Sequence, residues 1–141
     1  MSTEQNKAIL RRYIQEVDNK GNFAVHDELV APNFRSYYAS GPPMDREGHK
    51  QFLTVMRTAC PDIRVTIEDL IAEGDKVVVR WTSRGTHQGE FQGVLPTAKQ
   101  VTVTGITINR FADGQLVETW SVFDQMGLLQ QLGVVPSPGQ A

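Results

Sequence analysis

The sequence predicts an α+β fold in a single domain spanning residues 1–136, and three observations carry that expectation. Helical periodicity is confined to the N-terminal part, apolar–polar alternation takes over at Asp62, and turn-forming tripeptides join the alternating stretches in pairs. Helices gathered first, with antiparallel strands after them, argue against a parallel sheet.

The elements follow in order. Ser2 with Gln5 three residues later is a capping-box pattern, and Ile9, Leu10, Tyr13, Ile14 and Val17 then recur at helical spacing until Gly21. A short second helix is predicted over 23–30, because Pro32 forces an extended residue before it. A third begins near Asp45, after the breaker Gly41-Pro42-Pro43, with Phe52, Leu53, Val55, Met56 and Ala59 as its buried stripe and Pro61 as its stop. Ile63, Val65 and Ile67 then alternate with Arg64, Thr66 and Glu68, and Glu73-Gly74-Asp75 turns the chain into KVVVRWTSRGTH. Stretches 101–111 and 116–123 form a second pair across Ala112-Asp113-Gly114. A last helix over 125–132 carries Met126, Leu128, Leu129 and Leu132, and Gly133 caps it; the tail 137–141 is expected to be loose.

Composition narrows the function classes. The chain has 141 residues, with 14 Lys plus Arg against 16 Asp plus Glu, a net charge of -2 that offers no broad cationic surface to nucleic acid. A chain of this length buries roughly two-thirds of the surface its unfolded form exposes, enough for a real core. No run of about 20 apolar residues occurs, and the polar start MSTEQNK lacks the order of a secretory leader, so a cytoplasmic protein without a membrane partner is expected. Cys60 stands alone and reads as a buried filler, and three scattered histidines make no metal site. His26 and His49 lie on charge-rich helices and read as solvated.

Both faces of the sheet carry apolar side chains: Val77, Val78 and Val79 run together, and Ile106 and Ile108 oppose Val101 and Val103. Two apolar faces need two partners. Helices cover one, and a second copy of the chain is expected on the other, giving a homodimer through the sheet face.

The string GDKVVVRWTSRGTHQGEF and the ending LLQQLG, within a pattern that runs through nearly the whole chain, resemble the SnoaL-like polyketide cyclases of the NTF2-like superfamily. The resemblance implies a cone-shaped α+β barrel, usually dimeric, around an apolar cavity. It also implies an intramolecular aldol ring closure on a small apolar aromatic substrate, with no metal and no organic cofactor, in which an aspartate at the place of Asp124 is the acid/base.

Residue by residue, the candidates have two readings each. Strict alternation puts Leu116, Glu118, Trp120, Val122 and Asp124 on one face, and apolar company disfavours a charged carboxylate and suits it to proton transfer. Asp124 is equally placed to cap the helix that follows. Arg80, in an apolar strand, either orients Asp124 and stabilises an enolate or pairs with Glu68 or Glu118. His87 either donates a proton to a substrate oxygen or bonds locally. Thr107 and Asn109 put hydrogen-bonding groups into the cavity or pair across strands; Tyr37, with Phe34 and Tyr38, stacks on a flat substrate or packs in the core; Trp120 and Trp81 are walls.

Three departures from the family pattern bear on the reaction. Thr107 stands where the cyclases often carry a histidine beside the aspartate, Ser36-Tyr37-Tyr38 stands where a second histidine is common, and the loop usually read PTGK is Pro96-Thr97-Ala98-Lys99. Ring-closing cyclisation leads. Hydroxylation of an aromatic polyketide and ligand binding without catalysis are the alternatives, and an epoxide-hydrolase-like activity is weaker because Thr82, not a carboxylate, follows Arg80 by two.

Overall fold

A computed structural model describes residues 2–38, 41–136 and 139; of the tail expected to be loose, 137, 138, 140 and 141 lie outside the described residues. Helix α1 (Thr3–Tyr13) starts on the anticipated capping box, with Ser2 and Gln5 satisfying one another's backbone N–H. It runs on into a π-helical turn, Ile14–Asp18, where the Asn19 N–H reaches back to the Ile14 carbonyl at 3.0 Å. Helix α2 (Phe23–Leu29) leads directly into strand β1 (Val30–Tyr38), and α3 (Arg46–Ala59) starts on the Asp45 cap. Strands β2 (Arg64–Glu73), β3 (Lys76–Thr86), β4 (Gln100–Ala112) and β5 (Gln115–Phe123) follow, then helix α4 (Gln125–Gln131).

The five strands form one sheet in the order β1-β5-β4-β3-β2, antiparallel throughout except where β1 lies parallel to β5. The sheet is curved and unclosed, so the helices, not a last strand pairing, complete the cone. Asp113 and Gly114 both have positive φ, the backbone of a tight β4–β5 hairpin. Leu10, Ile14 and Val17 pack with Val25 and Leu29 against the inner side chains Val77, Val79, Phe111 and Leu116. Burial of each such Leu or Phe contributes roughly 2 kcal/mol. Among the described residues no helix is long and apolar enough to cross a membrane.

Two single-residue bulges decide what faces inward. Arg110 pairs with Glu118 and Phe111 with Leu116, so Val117 is an extra residue on β5. Leu116 faces the core before it, and Thr119, Ser121 and Phe123 face the cavity after it. On β2, Ile67 pairs with Trp81 and Asp69 with Arg80, which makes Glu68 the extra residue. Strict alternation along β5, which would place Glu118, Trp120 and Val122 with Leu116, fails for this reason: the bulge turns those three to the outer face.

Candidate active site

Between the helices and the inner face of the sheet lies a cavity of about 190 Å³. Its walls are mostly apolar: Leu10 and Ile14 from the first helix, Phe52, Leu53 and Met56 from α3, Val79 and Trp81 from β3, and Phe123 from β5. Gly105 makes room for one of these walls. A Cβ there would stand 2.3 Å from the Trp81 ring, so the indole can lie across β4 only because position 105 has no side chain.

The polar groups are few and held in place. Asp18 ends the π-helical turn and borders the cavity. Its backbone is pinned on both sides: Arg57 Nη1 donates to the Asp18 carbonyl at 3.0 Å, and the Asn19 side chain bonds the Val65 N–H at 2.6 Å and carbonyl at 3.0 Å. Burial raises the Asp18 carboxyl to about 7, against a smaller opposing pull from the Arg57 charge. A carboxyl poised there can take and return a proton near neutrality. Burial also pushes the phenols of Tyr13 and Tyr38, which border the same space, well above their usual range, and both stay protonated.

A second polar group comes from the sheet. Trp81 Nε1 donates to Thr107 Oγ1 at 3.0 Å, and Thr107 Oγ1 lies 2.9 Å from Ser121 Oγ. One hydroxyl donates to the other, and the second hydroxyl hydrogen is left for a guest. Asn109 Nδ2 donates to the Val77 carbonyl at 3.1 Å, which commits its amide and leaves Oδ1 as an acceptor. Gln92, at φ +48, also borders the cavity from the loop before β4.

The structure brings Thr107, Asn109, Trp81 and Tyr38 to the cavity and places Asp124, Arg80, His87, Tyr37, Phe34 and Trp120 elsewhere. Asp124 is exposed at the N-cap of α4, where its carboxylate accepts from the Gly127 N–H at 2.9 Å. Arg80 is on the outer face in an exposed ion pair with Asp69 at 2.6 Å, and Glu118 is taken by Arg110. Glu68 is not its partner, because the bulge moves Asp69 opposite Arg80. His87 is buried beside a separate hollow of about 30 Å³. Its Nδ1 accepts from the Thr97 N–H at 3.2 Å and lies 3.0 Å from Thr97 Oγ1. Tyr37 and Trp120 stack on each other on the outer face, centroids 5.9 Å apart, while Tyr38 is the tyrosine that turns inward and Phe34 is core.

His26 and His49 correct the reading of solvated side chains. They are 0 % and 6 % exposed, and His26 Nε2 lies 3.1 Å from His49 Nδ1. The sequence held the signal: His49 precedes Phe52, Leu53 and Met56 at spacings of three, four and seven, so it belongs to the buried stripe despite its charged neighbours. Asp18 follows Leu10 by eight and Ile14 by four, also a helical spacing, and so puts a carboxylate on an apolar stripe.

A curved sheet wrapped by N-terminal helices around an apolar hollow with a few inward polar groups defines a small-molecule site on an NTF2-like fold. Residues 8–132 match the SnoaL-like polyketide cyclase family, and the chain belongs to it. Among solved structures it is similar to AclR of Streptomyces galilaeus, assigned as a hydroxylase, at 28% identity and a TM-score of 0.90, over 99% of this chain and 87% of that one. It is also similar to IdmH of Streptomyces antibioticus, assigned as a polyketide cyclase, at 32% identity and 0.81, over 92% and 99%. A SnoaL-like polyketide cyclase assignment from Jannaschia Sp. CCS1 matches at 29% and 0.87, over 95% of each chain. No curated protein matches the chain.

Proposed function

We propose that the protein is an acid/base enzyme of aromatic polyketide metabolism that closes a ring by an intramolecular aldol step, with Asp18 as the proton-transferring group. The observation that carries this reading is a carboxyl held near pH 7 by burial at the edge of a largely apolar cavity. In the reaction, Asp18 takes a proton from a carbon next to a carbonyl, and the enolate oxygen accepts from the hydroxyl pair Thr107 and Ser121. The enolate carbon then bonds to a second carbonyl carbon of the same molecule, and the alkoxide so formed takes the proton back from Asp18. Atoms and charge balance with no further reactant. Asp124 keeps the acid/base position that the family resemblance implies, and the two assignments rank two variants in opposite order.

With an aromatic β-polyketone as substrate, Asp18→Asn is expected to lower turnover by about 100-fold to 10,000-fold, and Asp124→Asn to leave it within about 10-fold. The reverse ranking returns the role to Asp124, and turnover unchanged in both removes carboxylate catalysis. The likeness to AclR supports hydroxylation as a second reading. Cyclisation leaves the product mass unchanged, whereas hydroxylation adds one oxygen and stops without dioxygen and a reductant; binding without any product is the non-catalytic outcome.

We also propose that the outer sheet face joins two copies of the chain. Ile71, Val78, Ile108 and Trp120 are cross-strand neighbours, with Ile106 and Val122 in the adjacent row, and Ile71 and Val122 are 64% and 63% exposed.

A further inference from the structure

Two neutral imidazoles that share one hydrogen bond have a direction, and the surroundings of this pair set it. His26 Nε2 and His49 Nδ1 are 3.1 Å apart, with the His26 ring beside Tyr13 and the His49 ring packed on Phe34 at 5.2 Å. Burial holds His26 down to about 4 and His49 to about 3, so both rings are neutral near pH 7 and each carries one N–H. The charges around His26 are Lys50 and Arg46, which oppose a proton there, and Asp27 and Glu47, which favour one.

Only two arrangements are open. If His49 Nδ1 donates, the single proton of His26 sits on Nδ1, a buried atom with no partner among the described residues. If His26 Nε2 donates, the buried His26 Nδ1 carries no proton, and His49 carries its own on Nε2. The second arrangement leaves no buried N–H without an acceptor, which is the rarer defect in folded proteins. It also gives both rings the Nε2–H form, the intrinsically preferred tautomer of neutral histidine. His49 borders the cavity with Nδ1 turned to α2, so its Nε2 edge is the one left for a guest.

We infer that His26 locks His49 as a fixed, uncharged hydrogen-bond donor in the cavity, and that the molecule bound there presents a carbonyl or enolate oxygen to His49 Nε2–H. The inference rests on the cavity being the ligand site and deepens it, because it names the functional group the ligand must carry. A neutral donor strengthens its bond as negative charge develops on the oxygen, without a buried cation to hold in the empty site. His49 is then a binding residue, and His26 a positioning residue that acts through it.

Two measurements on the intact protein test this, and neither requires turnover. In long-range proton–nitrogen spectra of the free protein, His49 is expected to show a protonated Nε2 and an unprotonated Nδ1; the opposite pattern overturns the inference. In binding titrations with 1-tetralone, a bicyclic ketone that only accepts, and tetralin, its hydrocarbon counterpart, His49→Phe is expected to weaken the ketone about 10-fold and leave the hydrocarbon within about two-fold. His26→Gln, whose amide can still donate to Nδ1, is expected to keep the ketone preference, and His26→Leu to lose it. Equal losses for both ligands, or no binding of the ketone by the wild-type protein, overturn the donor role. Neither measurement involves turnover, so a failed catalytic assignment leaves this result standing.

Discussion

The two faces of one sheet differ in kind, and the contrast shows how a small domain keeps an enclosed hollow apart from an exposed apolar surface. On the inner face, apolar side chains stop short of filling the space, and Trp81 Nε1, the Thr107 and Ser121 hydroxyls and Asn109 Nδ2 are tied to one another or to backbone. On the outer face, apolar side chains stand in cross-strand rows with exposed ion pairs such as Arg80–Asp69 beside them. An exposed pair of that kind contributes about 0–1 kcal/mol and leaves the apolar rows as the main energetic asset of that face. Polar groups in a cavity cost least when they are bonded, whereas an exposed apolar face suited to a partner needs area and complementarity.

The sharpest way to break the contrast is to put a charge on the outer rows. Val122→Asp is expected to raise the dimer dissociation constant by more than about 100-fold, read by sedimentation, and to leave ligand binding in the cavity unchanged. A monomeric wild type would remove the outer face from any role in assembly.

The next effect belongs to the inner face. Because the folded state holds the Asp18 carboxyl at about 7, above its unfolded value, the native protein binds more protons than the unfolded chain between about pH 4 and pH 7, and stability falls as pH rises through that window. Asp18→Asn is therefore expected to stabilise the protein by up to about 4 kcal/mol at pH 8 and by nothing measurable at pH 4, read as denaturant midpoints. His26 and His49 act in the other direction, because their folded values lie below the unfolded one and acid favours the unfolded chain below about pH 6.5.

The smallest effect separates capping from catalysis. Asp124→Ala is expected to cost about 1 kcal/mol through the lost bond to the Gly127 N–H, read as a denaturant midpoint. Gly127 is fitted to that bond, since a Cβ on it would stand 2.2 Å from the Asp124 carboxylate.

The elements that depend on local chemistry were legible in the sequence. The Ser2 capping box, the Asp45 cap, the two hairpin turns and the helix after Asp124 each rest on a few adjacent residues. Strand β1 was not, because its pairing with β5 is parallel and joins residues more than eighty positions apart, and Pro32 within it argues against a strand. The site was half legible. Thr107 and Asn109 were found by alternation along β4, which carries no bulge before Arg110. Trp120 was assigned to the wrong face because one extra residue on β5 shifts the parity of everything after it. Asp18 and His49 sat on buried helical stripes, but their polarity spoke for solvent and only packing decides between the two.

The bulges at Val117 and Glu68 leave the domain with an uneven tolerance to change in length. A codon lost from the tip of a surface loop shortens a connection and little else. A codon lost at position 117 would remove the bulge and leave Thr119 and Ser121 facing in and Trp120 and Val122 facing out, whereas one lost between 119 and 122, where no extra residue absorbs it, would turn the strand over on one side of the deletion and disturb both faces at once. Within the sheet, the two bulges are therefore the places where a residue can be lost without turning a strand over.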